Sequence, residues 1–190
     1  MKHAIRMCSL ACALVIIAAP QAALAQQSGT VLAEVLEDWS DLKASILQLV
    51  NYMPAEKYSY KLPFPVQVKV LPIGAAQEHF GKRVLDIALV NVRFLRTLDG
   101  KSQAPVIADT DAMTSKEASM KAVADSFDYG IALLKEQTDQ TMWQKVDALS
   151  LGPSSRVRVF RYLHSRAREI DGQLVIYLRL SGEVRPAVVG

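Results

Sequence analysis

Cysteine is almost absent from this sequence. Only two cysteines, Cys8 and Cys12, occur among the 190 residues, and both lie close to the N-terminus. A chain that loses this segment has no thiol, so it cannot form a disulfide, use a thiol nucleophile or bind zinc through sulfur. These kinds of chemistry are therefore excluded for the rest of the protein.

Charge of one sign is not in excess either. The 22 basic and 19 acidic residues give a formal net charge of +3. Without Lys2 and Arg6, 20 basic residues remain against 19 acidic ones, which is a net charge of +1. Nucleic-acid binding needs a concentration of basic side chains. No nucleic-acid partner is therefore expected.

The sequence also lacks the spacings that mark common catalytic sites and sheets. It has no serine–histidine–acid pattern, phosphate-binding loop or pair of catalytic carboxylates, so no catalytic residue is assigned. Strand-like alternation is confined to "VQVKV" (66–70), and no partner run lies nearby. We therefore predict no regular sheet.

The 51% of hydrophobic residues indicates one globular domain with a substantial core.

The N-terminal segment has the layout of a secretory signal peptide. A short basic start with Lys2 and Arg6 precedes an apolar run through Ile17, and small residues follow at 23–25 before Gln26. We predict cleavage after Ala25, which leaves a mature domain of residues 26–190. The protein is then expected to be periplasmic or secreted, with no transmembrane span after cleavage.

Four amphipathic patterns occupy most of the mature chain. Apolar residues recur every three or four positions over Leu32–Met53 and over about Gly74–Leu98. A third pattern begins with a capping box at Thr114, and a fourth follows Ser154 or Ser155 and ends at Gly182. Four such helices predict an all-α four-helix bundle.

The first two helices are joined by a long connection, Pro54 to about Pro72, which we expect to be extended because it holds four prolines. A second connection contains Trp143, which we expect to cover the core.

Three stretches of the sequence resemble one known family. They are "DWSDLKASILQLVNYMPAEKYSYK", "LDIALVNVRFL" and "GQLVIYLRLSGEVRP". They resemble the DinB/YfiT-like superfamily over about residues 30–187. The resemblance implies a four-helix bundle that holds a divalent metal with three histidines, one in the second helix and two in the last. Members include thiol-dependent S-transferases and isomerases, and many members have no known activity.

The three histidines of that family are not present here. Asp86 stands where the second helix would supply one, and Arg166 and Ile170 stand at the two places in the last helix. Arginine offers no lone pair, and isoleucine has no donor atom. One ligand of three does not make a metal site. The family's metal site is therefore expected to be degenerate, with no cofactor bound.

Asp86, Arg166 and Gln173 are the candidate pocket residues. Arg166 and Gln173 fall within the apolar stripe of the last helix, where a charge needs a partner or a route to water. One interpretation pairs Arg166 with Asp86 at the edge of a pocket. In the other, Arg166 reaches solvent or pairs with Glu169 in its own helix.

A metal site with other ligands is the alternative. His79, Asp86 and His164 form a weaker candidate set, which would hold one divalent ion such as nickel or zinc.

The sequence thus predicts an exported DinB-like domain that binds or interacts without catalysis. Its ligand would be small and polar or anionic. The alternative is a divalent-metal-dependent hydrolase or thiol S-transferase with non-standard ligands. Bundles of this kind commonly dimerise, so a homodimer is one expectation for its assembly.

Overall fold

A computed structural model describes residues 30–63, 78–110 and 114–183. The predicted signal peptide, the "VQVKV" run and the predicted start of the second helix at Gly74 lie outside these ranges. The helices are α1 (Val31–Tyr52), α2 (Phe80–Leu95), α3 (Lys116–Lys135), α4 (Asp139–Met142) and α5 (Arg156–Leu180), and the strands are β1 (Lys145–Asp147) and β2 (Pro153–Ser155). None of the helices in the described ranges is long and apolar enough to cross a membrane.

The four long helices form a bundle in which α3 and α5 each pack between α1 and α2. Helices α1 and α5 run parallel, since Trp39 meets Phe160 near their starts and Met53 meets Ser181 near their ends. Helices α2 and α3 run the opposite way, side by side, and Asn91 of α2 donates a hydrogen bond to Ser126 of α3. The predicted all-α bundle is confirmed.

The core is built from the apolar stripes that the sequence predicts. Most apolar residues of these stripes are buried, and a few at the helix flanks, such as Leu36 and Met120, are partly buried. Burial of each large aliphatic or aromatic side chain stabilises the fold by about 1.5–3 kcal/mol. The largest buried side chains include Trp39, Leu42, Ile46, Phe80, Leu85, Phe127 and Leu134.

The helix starts depend on side chains that accept backbone hydrogen bonds. Ser155, one of the two serines predicted to cap α5, does cap it. Helix α3 is capped by Ser115 and not by Thr114, the predicted residue. Helix α2 starts at Phe80, because His79, inside the predicted helix, is extended and its Nδ1 accepts a hydrogen bond from the Lys82 backbone. A polar side chain that satisfies a free N–H fixes where a helix can begin.

The prediction of no regular sheet is wrong in one small place. Strands β1 and β2 form an antiparallel hairpin in which Val146 lies opposite Ser154. Three residues per strand are too few to give a visible alternation. The expectation for Trp143 is also wrong, because it is 61% exposed and Met142 is buried instead.

The first part of the α1–α2 connection crosses the end of α5. A short 3-10 helix follows α1 at Ala55–Lys57. Tyr58 then donates its hydroxyl to the Val50 carbonyl at 2.8 Å, and Tyr60 donates to the Leu180 carbonyl at 3.0 Å. These hydroxyl bonds fasten the connection to both helices that it passes.

Candidate functional site

Arg83 lies at the centre of a polar cluster between α2 and α5. Its guanidinium contacts Asp86 at 2.7 Å and Glu78 at 3.3 Å, and it donates a hydrogen bond to the Gln173 side chain across the interface. The side chain of Arg83 is 12% exposed and that of Asp86 is 22% exposed. Two of the three candidate pocket residues, Asp86 and Gln173, are therefore brought together, but through a residue that the sequence analysis missed.

Arg166 does not join this cluster. Its guanidinium pairs with Glu169 on the same helix, and its side chain is 39% exposed. The interpretation that pairs Arg166 with Asp86 is wrong, and the one that pairs it with Glu169 is confirmed. Ala167 takes the buried place instead. Positions three and four after Leu163 both fit a helical stripe, so the sequence did not decide between them.

The antiparallel register of α2 and α5 also separates Arg166 from Asp86. Tyr177 donates its hydroxyl to the Glu78 carbonyl at 2.6 Å, and Gln173 meets Arg83. One turn beyond the Arg83–Gln173 contact, α2 has reached Asp86. At the same level α5, which runs the opposite way, has reached only Ile170. Arg166 therefore lies a turn beyond the level of Asp86.

The electrostatics of the cluster are those of a partly buried ionic network. Burial raises the pKa of the Asp86 carboxyl, and the nearby carboxyl of Glu78 acts in the same direction, while Arg83 opposes both. Burial likewise raises the pKa of Tyr177. Lys82 adds an ion pair to Asp86 at 3.7 Å and another to Asp109. Each ion of the network therefore has a partner of opposite charge.

At the three positions where the resemblance predicts metal ligands, the side chains are already paired or have no lone pair to donate. Asp86 already binds Arg83, Ile170 is a buried hydrocarbon, and Arg166 is a cation. The alternative ligand set is not assembled either, since the Nδ1 atom of His79 caps α2. Within the described ranges, no three side chains of His, Cys, Asp or Glu are grouped in a way that could hold a metal.

His164, the other histidine of that set, lines a groove between α1 and α5. The groove has a volume of about 300 Å³. Its lining residues come from two turns of each helix and are Val35, Asp38, Trp39, Phe160, Arg161, His164 and Ser165. The sequence indicated His164 only as a candidate metal ligand, and no pattern in it linked this residue to α1. Only the parallel packing of α1 and α5 makes this groove.

Comparison with known proteins supports the fold. Among solved structures, a DinB-like protein from Bacillus cereus ATCC 10987 superposes on this chain with a TM-score of 0.53 and 18% sequence identity. The match covers 81% of this chain and 95% of that protein's chain. No protein-family model and no curated protein matches the sequence. The chain has a DinB-like fold, as its sequence predicts.

Proposed function

We propose that this chain is an exported, non-enzymatic binding protein that uses a DinB-like fold without a metal. The observation that carries the proposal is the contact between Arg83 and Asp86, at 2.7 Å. Asp86 is the one residue at the three family metal positions that has a donor atom. A permanent cation of the protein already neutralises it, so this carboxylate has no need of a metal ion.

A divalent ion would have to displace a guanidinium that is bound from several sides. Arg83 contacts Glu78, Asp86 and Gln173 at once. Removal of a partly buried arginine from its acceptors leaves charges unpaired, which is costly. The rival function, a metal-dependent hydrolase or S-transferase, would need this exchange and two further ligands. Neither Arg166 nor Ile170 can supply them.

The export part of the proposal is supported by the N-terminal sequence alone. Its basic start, apolar run and small residues before Gln26 are typical of a cleaved signal peptide. A domain with no cysteine after residue 12 also suits an oxidising compartment, because no thiol can mispair there.

Metal content of the purified mature protein tests the proposal. We expect no stoichiometric nickel or zinc by elemental analysis, and no change in thermal unfolding when a chelator is added. The variant Arg83→Met removes the internal cation and keeps a similar length. It should bind divalent ions more strongly than the parent, because Glu78 and Asp86 then lack their shared partner.

Arg166→Met is the matched control, since among the described residues this arginine has one ion-pair partner, Glu169, near the surface. It should leave metal affinity unchanged. A parent protein that carries about one divalent ion per chain, lost on Asp86→Ala, would overturn the proposal and support the enzyme.

A further inference from the structure

We infer that the groove between α1 and α5 is the ligand site of this binding protein. Its ligand would be a small zwitterion with an apolar body, such as a free amino acid with an aliphatic side chain. The inference rests on the proposed binding function and adds the site and the ligand class. The volume of about 300 Å³ is at the lower end of the range for small-molecule sites.

The floor of the groove is apolar and rigid. Trp39 and Phe160 lie edge to face with ring centroids 5.1 Å apart, and Trp39 also packs on Phe127 at 4.7 Å. The indole N–H donates to the Phe127 carbonyl at 3.0 Å, so the ring cannot turn freely. A floor held in this way can bind an aliphatic group without being ordered first.

The two walls carry opposite charges. Helix α1 contributes Asp38 and helix α5 contributes Arg161, with His164 beside it. An ammonium group suits the carboxylate wall and a carboxylate group suits the guanidinium wall. A simple anion or cation would satisfy one wall and leave the other unpaired. This pattern therefore favours a ligand that carries both charges.

These side chains are free to bind a ligand. Over the described part of the chain, neither an ion pair nor a side-chain hydrogen bond engages Asp38, Arg161 or His164. In the cluster around Arg83, by contrast, the charged groups are paired with one another. Charged groups that converge on an apolar depression without partners are typical of a binding site.

The groove is suited to binding rather than to nucleophilic catalysis. Ser165 lies beside His164 and within reach of the same depression, but its hydroxyl donates to the Arg161 carbonyl at 3.0 Å. A serine nucleophile needs its hydroxyl proton directed at a base. This serine directs its proton into its own helix instead.

Trp39 provides the readout for a direct test. In a Trp143→Phe background, Trp39 is the one remaining tryptophan. L-leucine should change its fluorescence saturably at concentrations up to about 10 mM. Leucinamide, which lacks the carboxylate, and 4-methylpentanoate, which lacks the ammonium group, should each bind at least about tenfold more weakly.

Two variants test which charged group of the ligand each wall of the groove binds. Asp38→Asn should weaken L-leucine binding but leave 4-methylpentanoate unchanged, and Arg161→Gln should weaken L-leucine but leave leucinamide unchanged. Asp41→Asn and Arg158→Gln, exposed on the same helices and outside the groove lining, are the matched controls. All four sites are at the surface, so thermal unfolding should show that every variant folds.

Several results would overturn the inference. One is the absence of a saturable change with L-leucine, and another is a truncated probe, leucinamide or 4-methylpentanoate, that binds as tightly as L-leucine does. Binding that persists in both wall variants would exclude this groove but leave the proposed binding function intact. Stoichiometric metal in the parent would instead remove the proposed function, whatever the groove binds.

Discussion

The indole ring of Trp39 in α1 lies directly against the backbone of Gly130 in α3. A Cβ atom placed on Gly130 would be 2.5 Å from the Trp39 Nε1 atom, which is closer than real contacts allow. The same Nε1 donates to the Phe127 carbonyl one turn earlier. The absence of a side chain at position 130 is therefore what lets α1 and α3 approach around the tryptophan.

Gly130→Ala should destabilise the protein even though alanine is the better helix former. The added methyl group must push the indole away from its hydrogen bond and from Phe127. Overpacking of this kind costs about 1–3 kcal/mol. Urea unfolding monitored by circular dichroism measures the loss.

Gly172→Ala is the matched control in α5. A Cβ there meets nothing within 4 Å, and the residue is exposed. Alanine should stabilise this helix by about 0.5–1 kcal/mol. A gain of stability in both variants would show that the indole does not restrict position 130.

Trp39→Ala should cost about 3–5 kcal/mol, because it removes an almost fully buried ring that packs against Phe127 of α3 and Phe160 of α5. Trp143→Ala, at an exposed position, should cost less than about 0.5 kcal/mol. Unfolding free energies from chemical denaturation compare the two. Similar losses of unfolding free energy in the two variants would show that Trp39 is not the buried tryptophan.

Arg83 and Asp86 should be energetically coupled. Their contact is partly buried, so the coupling should fall between the values for exposed and buried ion pairs, at about 1–3 kcal/mol. A double-mutant cycle with Arg83→Met and Asp86→Asn measures it. The cycle of Asp86→Asn with Arg166→Met should be additive within about 0.5 kcal/mol. Coupling in the second cycle alone would restore the Arg166–Asp86 pair.

The carboxyl of Asp86 should titrate above its ordinary pKa, because burial outweighs the attraction of Arg83. The folded protein then holds this proton more tightly than the unfolded chain does. The resulting contribution to the unfolding free energy is complete below the unfolded pKa of about 3.9 and is lost as the pH rises through the folded pKa. As the pH rises from the unfolded pKa to the folded pKa, the parent should therefore lose stability relative to the Asp86→Asn variant.

Carbon-detected NMR titration of the Asp86 carboxyl measures this pKa directly. Glu78→Gln should lower it, since the second carboxyl acts in the same direction as burial, and Arg83→Met should raise it further. A pKa at or below the ordinary aspartate value in the parent would show that the ion pair prevails over burial.

The exported protein should begin at Gln26. The Ala-Leu-Ala sequence before it is the small-residue site of the predicted signal peptide. Intact mass spectrometry of protein from the culture medium or the periplasm gives the first residue. A full-length chain on membranes would mean an uncleaved anchor instead.

Long periodic features of this chain could be read from its sequence, and single contacts could not. The four bundle helices follow from apolar stripes that repeat over several turns, so errors at one position do not change the result. Hairpin β1–β2 has three residues in each strand, which is less than the pattern needs to be visible. The start of α2 depends on one histidine side chain, and no helical period records such a cap.

In the candidate site, too, single residues could be predicted from the sequence but the contacts between helices could not. Asp86 was identified from the resemblance, and Arg83, three residues earlier, could have been found as an (i, i+3) pair on the same helix face. The link to Gln173 needs the register of two antiparallel helices, and the α1–α5 groove needs their parallel packing. Both are tertiary relationships that one sequence does not contain.

The order of the helices around the bundle also affects how the chain can fold. Helix α1 packs against α3 and α5 rather than extensively against α2, which follows it in sequence. Helices α1 and α2 are therefore not packed as a helical hairpin in the folded bundle. Contacts between distant parts of the chain slow folding relative to a simple up-and-down bundle. Because α5 contacts both α1 and α2, the core closes only when the last helix docks, and chains truncated before α5 should collapse without reaching a unique fold.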